Sequence, residues 1–259
     1  VLEHADLRGA NLNGATLRGA VLSDAVLNGA ELKNVDISGA IVEPHQLRDA
    51  KCLQLTGGEV RPISDADLRE VLRLHALWLD TKGSDGRRAV LSEMDLSGHD
   101  LRAANLALAN LARAVLRGAD LTRASLAMCD LSLADLRDAQ LDRADLRGAK
   151  LVRAHLAGAS LVRADLSPLE NVGDGKFDFP ANLEGAKLGG ANLESARLKE
   201  AKLAGADLSH TRLAGADLAK ADLKGANLSD ASAGGANFVG AALANARGGP
   251  SAKAANETA

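Results

Sequence analysis

The chain of 259 residues has no tyrosine, one tryptophan and three phenylalanines, so aromatics make up only 2% of it. An ordinary globular core of this length draws on large aromatic side chains, so the interior here must be filled by something smaller. Cysteine is nearly absent as well. Cys52 and Cys129 are the only two, and their separation leaves no disulfide framework and no zinc-ligand spacing. The six histidines are scattered, and His75, His155 and His210 lack the spaced partners that metal ligation or nucleophilic catalysis needs. There is no GxGxxG, no Walker-type loop and no G-x-S-x-G. The sequence thus offers no catalytic, cofactor-binding or metal-ligating residues, and an enzyme is not expected. No run approaches the roughly twenty apolar residues of a membrane span, so no membrane partner is expected. A net charge of −3, a pI near 6.1 and the lack of interleaved aromatics argue against direct nucleic-acid binding.

What the chain does have is leucine in steps of five. Through residues 104–126, "ANLALANLARAVLRGADLTRASL", it recurs at Leu106, Leu111, Leu116, Leu121 and Leu126. On an α-helix a five-residue step turns each leucine by roughly 140°, spreading leucines around the whole circumference. A helix apolar all round must be deeply buried, yet Asp, Arg and Asn lie between these leucines. On a straight strand an odd step alternates faces and puts half the leucines in water. The solution is a chain that bends once per five residues, sending every leucine to one interior. Stacked coils of such a chain form a solenoid.

The unit reads small, polar, leucine, then two mostly polar or glycine positions, as in "ADLRG", "ANLNG", "ATLRG" and "ADLTR". On these motifs, which cover about three quarters of the chain, it resembles the pentapeptide-repeat proteins, whose units follow A-(D/N)-L-x-x. The resemblance implies an all-β solenoid, a right-handed quadrilateral β-helix in which the leucine and the alanine two before it point inward. Four pentads would close one square coil. Coils would stack at about the 4.8 Å inter-strand distance, and alanine would be required sterically by a narrow lumen. Cys129, in an alanine slot, reads as a small core residue.

Charge patterning favours four sides over three. At a spacing of twenty, Lys187 falls on Asp207, Arg197 on Asp217 and Lys202 on Asp222. At fifteen, Lys187 falls on Lys202 and Asp207 on Asp222, and stacked like charges oppose pairing. The middle of the chain gives a mixed result, with Asp100 over Asp120 but Asp130 beside Lys150.

The repeat has three blocks. The first, 1–52, has centres from Leu2 to Ile37, fading through Val42 and Leu47 towards Cys52. The second, 91–166, runs from Leu91 to Leu166. The third, 183–245, runs from Leu183 to about Leu243, with Phe238 in a leucine slot. About forty pentads make about ten coils, a rod of roughly 48 Å at one strand spacing per coil.

Between the first two blocks, the insert 53–90 carries Leu68, Val71, Leu72, His75, Trp78 and Leu79 at amphipathic-helix spacing. The spacing predicts a helix over about 65–81. Ser64 with Asp67 resembles a capping box, and Gly83 after Lys82 is a stop signal. The stretch "HALWLDTKGSDGRRAVL" also resembles an element found beside the repeats in some bacterial pentapeptide-repeat proteins. His45, Met94 and His99 take alanine slots flanking this insert, which implies an imperfect coil for the helix to cover. It would then act as a cap or a hinge, since exposed coil ends are unpaired strand edges; a binding role is the other reading. The second interruption, 167–182, contains "SPLENVGDGKFDFPAN", a surface loop by its turn residues. Phe177 and Phe179 could anchor a partner there or fold back on the coil wall. The tail 246–259 has no periodicity and reads as disordered. The chain begins in frame at Val1 without Met, as expected of a piece of something longer. Cytoplasmic localisation is the default expectation.

For function, the sequence favours a non-catalytic structural scaffold or protein–protein interaction module with an unidentified protein partner; end-to-end or side-by-side association is open. Arg123, Arg143 and Arg163 fall twenty apart and should form one ladder, either gripping an acidic partner or phosphate or neutralised by neighbouring Asp columns. The resemblance supplies an alternative, because some pentapeptide-repeat proteins mimic B-form DNA and bind type II topoisomerases. A near-neutral rod is a poor imitation of a duplex carrying one charge per roughly 1.7 Å.

Overall fold

The structure, a computed structural model, describes residues 2, 4–17, 20, 22, 25–27, 29–32, 35, 61–170 and 178–249. His45, Cys52, Phe177 and the tail from 250 lie outside the described residues.

Pairing follows a twenty-residue period. The residue before each central leucine bridges its counterpart one coil on, in parallel, as in Asp100 with Asp120 and Asp120 with Gln140. The same holds early in the chain for Asp6 with Val26 and Asn11 with Glu31. Four pentads therefore close each coil. The expected pairs Lys187–Asp207, Arg197–Asp217 and Lys202–Asp222 are all formed, as are Asp100–Asp120 and Asp130–Lys150.

Each pentad uses its backbone groups in the same way. Leu106 N–H donates to the Ser125 carbonyl at 2.8 Å, and Ser125 N–H to the Ala104 carbonyl at 2.9 Å. Ala109 N–H closes the corner on the Leu106 carbonyl at 3.0 Å. The second corner residue, Leu108, has φ 64°, the geometry of a type II turn. A positive φ recurs at this slot all along the stack, for example at Arg113, Arg123, Leu133 and Arg143.

The Asp or Asn before the leucine has a structural task. Its Oδ1 accepts the N–H of the residue two places on, as in Asp120 with Thr122 at 3.0 Å and Asn110 with Ala112 at 3.0 Å. Such Asx turns pre-form the bend. From Ile63 onward the leucines and alanines line one continuous core, with Leu106, Ala109, Leu111 and Ala114 fully buried, while Leu27, Ala30, Leu32 and Val35 of the first block form a cluster of their own.

The short strand β1 (Arg61–Pro62) pairs in parallel with β2 (Met94–Asp95). The stack thus takes in residues that the leucine spacing alone leaves in the insert. Helix α1 (Asp65–Asp80) follows, with Ser64 as its N-cap: Ser64 Oγ accepts Asp67 N–H at 3.1 Å and donates to Asp67 Oδ2 at 2.6 Å. Leu68 and Ile63 join the buried core, and Val71, Leu72 and Met94 pack against it. The edge of the second block is therefore covered by an apolar helix face.

The later interruption leaves the ladder intact. Lys150 bridges Asn182 and Asp165 bridges Arg197, thirty-two residues on instead of twenty. Twelve extra residues are thus extruded at one corner, and β3 (Leu169–Glu170) pairs antiparallel with β4 (Asp178–Phe179) in that excursion.

Candidate interaction surface

Whether an arginine on this rod is neutralised depends on its corner slot and on what the same slot holds one coil away, as where second-slot Arg113 meets Glu93 at 3.3 Å. In the first slot, two residues after an aspartate, an arginine folds back onto that carboxylate. Arg102 Nε and Nη2 meet Asp100 at 2.8 and 2.6 Å, and Arg147 meets Asp145 at 2.8 and 2.7 Å. Such forked pairs are the strong kind. The Arg102 guanidinium and the Arg102 backbone N–H hold the Asp100 carboxyl down at about 2. Burial alone would raise the Asp145 carboxyl, but bonds from Arg147 outweigh it and the net shift is downward.

The second slot, with positive φ, aims its side chain away from that aspartate. Arg123, Arg143 and Arg163 occupy it in three successive coils, with φ 60°, 57° and 58°. Arg123 N–H donates to the Asp142 carbonyl and Arg143 N–H to the Val162 carbonyl, each at 2.9 Å, so the three are in register. All three are exposed, and none forms an ion pair among the described residues. Asp142, beside the column, is engaged by Ser160 Oγ at 2.5 Å and Val162 N–H at 3.0 Å.

Phe179 is 43% exposed. Its backbone lies over the corner at Gly148, where an added Cβ would stand 3.4 Å from Phe179 Cβ and 2.5 Å from Met128 Sδ. Leu108, 40% exposed, takes the same corner two coils earlier. Leu108, Met128 and Phe179 therefore form an apolar edge. The arginine column occupies the preceding corner of the same coils, since Arg143 and Gly148 are the second-slot residues of consecutive turns. The aromatic and basic candidates that the sequence offered separately are thus brought to the two edges of one side. Phe177 lies outside the described residues.

Elsewhere the polar groups serve the fold. His75 is fully buried, accepting Ala89 N–H through Nδ1 at 3.1 Å, with Nε2 3.0 Å from the Ala107 carbonyl. These bonds fix the neutral Nε2–H tautomer, and burial lowers the pKa. Cys129 is a free thiol in the lumen, its pKa raised by burial. His99 Nε2 lies 3.5 Å from Asp65 Oδ1, joining the stack to α1 beside a cleft of about 550 Å³. Among the described residues no cluster of three or more His, Cys, Asp or Glu is placed to hold a metal, and no helix is long and apolar enough to cross a membrane.

A fourfold stack of A-(D/N)-L-x-x pentads defines a class, the quadrilateral β-helix. The pentapeptide-repeat family model matches residues 2–42, 87–123, 100–138, 139–167, 181–215 and 211–247, in eight copies. The chain belongs to the pentapeptide-repeat family, whose members fold as right-handed quadrilateral β-helices. No curated protein matches it. Among solved structures, HetL is a pentapeptide repeat protein involved in heterocyst differentiation regulation in the cyanobacterium Nostoc sp. strain PCC 7120. It is 29% identical, with 94% of this chain and 87% of HetL covered and a TM-score of 0.27. A pentapeptide repeat protein from the Arabidopsis thaliana thylakoid lumen is 28% identical, covering 44% of this chain and 71% of its own, with a TM-score of 0.32. QnrB1, a plasmid-mediated fluoroquinolone resistance protein, is 19% identical, covering 64% and 88%, with a TM-score of 0.35.

Proposed function

We propose that this protein is a non-catalytic interaction scaffold, a rigid rod presenting fixed columns of side chains to a protein partner. The observation that carries this reading is the column of Arg123, Arg143 and Arg163, held in register by backbone bonds yet without ion pairs among the described residues. Three unneutralised guanidinium groups at one strand spacing repel one another, so an anionic partner relieves a built-in cost. In this reading α1 is a cap on the coil edge, and the repeat blocks 1–52, 91–166 and 183–245 form one scaffold interrupted by it and by the corner loop. In-cell cross-linking followed by affinity capture tests the reading. Specific partners should be recovered with the full chain and lost with Arg123→Gln/Arg143→Gln/Arg163→Gln or with Phe177→Ala/Phe179→Ala. Recovery of no specific partner would overturn it.

The alternative, a DNA-mimicking binder or protector of a type II topoisomerase, requires a continuous acidic face. The columns instead alternate in sign, as in Lys187 under Asp207 and Lys202 under Asp222. A gyrase supercoiling assay decides: inhibition or protection at micromolar protein would favour the mimic.

A further inference from the structure

The side of the coil carrying Asn105, Ser125, Asp145 and Asp165 is bounded by unlike edges. We propose that it is a docking surface for an extended, acidic segment of a partner polypeptide whose alternate side chains are apolar. This deepens the scaffold reading and rests on it.

The basic edge is Arg123, Arg143 and Arg163, rising one coil at a time at about 4.8 Å. The carboxylates in the trough between the edges are already committed. Asp145 is held by Arg147, while Asp165 accepts Ser167 N–H at 3.0 Å and lies 3.3 Å from Arg197 Nη1. Asp142, beside the basic edge, is likewise engaged by Ser160 and Val162, and Arg123, Arg143 and Arg163, which form no ion pair among the described residues, line that edge. Asn105 and Ser125 leave the start of the trough uncharged.

The opposite edge is Leu108, Met128 and Phe179. Gly148 has no side chain there, so Phe179 and Met128 close the edge over it. Both edges run parallel to the rod axis, with the apolar one beginning a coil earlier.

An extended strand laid along this trough sends alternate side chains to opposite edges. On one side they recur at about 6.6 Å, between the one-coil and two-coil separations of the arginines, and long arginine stems absorb the difference. Carboxylates on one side of the segment then meet guanidinium groups, while apolar side chains on the other meet Leu108, Met128 and Phe179. Three coil spacings of about 4.8 Å accommodate roughly four or five residues. A nucleic-acid strand suits the surface less well, because the far edge of Leu108, Met128 and Phe179 is apolar and offers a polyanion no charge.

The test is fluorescence anisotropy on the full chain with a labelled peptide of alternating Glu and Leu. Comparison probes are alternating Lys–Leu and Glu–Ser peptides and a single-stranded DNA oligonucleotide. The Glu–Leu peptide should bind at least about tenfold more tightly than any of these, because charge-assisted hydrogen bonds to guanidinium groups are the strong kind. Arg123→Gln/Arg143→Gln/Arg163→Gln should weaken it about tenfold or more, Leu108→Ser/Phe179→Ser should weaken it severalfold, and the triple Arg→Lys variant should bind more tightly than the Arg→Gln variant because it keeps the charge while losing the guanidinium fork. Circular dichroism should show each variant folded. No binding by the unaltered chain, undiminished binding by the Arg→Gln variant, or tighter binding of the oligonucleotide would overturn the proposal. Cross-linked partners retained by the Arg→Gln variant would refute this surface and leave the scaffold reading standing. Peptide binding with no partner captured from cells would do the reverse.

Discussion

His75 accepts the backbone N–H of Ala89 through Nδ1 at 3.1 Å, so α1 is bonded to the first residues of the coil that it covers. His75→Ala leaves that N–H and the Ala107 carbonyl buried without partners and opens a cavity. The cost should be about 2–5 kcal/mol by urea unfolding. Trp78, the sole tryptophan, stacks on His75 at 5.8 Å between centroids, so its emission should shift to the red in native buffer. Unchanged stability and emission would show that the helix is held by its apolar face alone.

Stability should fall with acid in a defined window. His155 is 5% exposed, and burial, followed by Lys187 and Arg117, pushes its pKa down to about 4. Unfolded, it titrates near 6.5. The folded state disfavours the protonated ring, so this contribution is complete above about pH 6.5 and is lost as pH falls towards about 4. The gap corresponds to on the order of 3 kcal/mol. Urea midpoints near pH 7.5 and near pH 5 should differ less for His155→Gln than for the unaltered chain; equal differences would refute this.

The lumen should be chemically closed. Cys129 is fully buried and its thiolate is disfavoured by burial. In a Cys52→Ser background the remaining thiol should react with a maleimide only at the rate of global unfolding. Cys129→Ala should cost under about 1.5 kcal/mol, whereas Cys129→Leu should cost about 3 kcal/mol or more, because a corner-closed coil cannot widen. Rapid labelling of the native protein would contradict the packing.

The return from α1 to the stack is tight at one glycine. A Cβ at Gly86, where φ is +77°, would stand 2.3 Å from the Leu74 carbonyl oxygen and 2.6 Å from Trp78 N. Gly86→Ala should therefore cost about 2–4 kcal/mol. Gly205→Ala, with φ +66° and nothing within 4 Å, should cost only the left-handed strain of about 1 kcal/mol. Thermal unfolding of the pair separates clash from strain; equal losses would refute the close approach.

The fourfold coil was legible because its evidence is redundant: leucine every fifth residue fixes the inward face, and Lys187, Arg197 and Lys202 select twenty over fifteen. The work of the aspartates was less visible. A slot described only as polar hides that Asp120 and its equivalents accept the N–H two residues on, although the recurrence of Asp and Asn there carried the signal. The fate of individual arginines was hidden for a related reason. Arg147 stands two residues after an aspartate and Arg143 one slot later in its pentad, and it is the positive φ of that later slot that turns Arg143 away. That Phe179 would share a side with Arg143 could not be read either, because loop residues keep no register with the coil.

The corner between Leu166 and Asn182 accommodates a twelve-residue excursion while Lys150 still finds Asn182 and Asp165 still finds Arg197. Coil geometry is therefore insensitive to cargo spliced in at a bend, since only the re-entry phase has to be right. Such a corner is a natural grafting point: foreign loops, epitope tags or recognition segments placed there would ride on the shaft without entering its pairing.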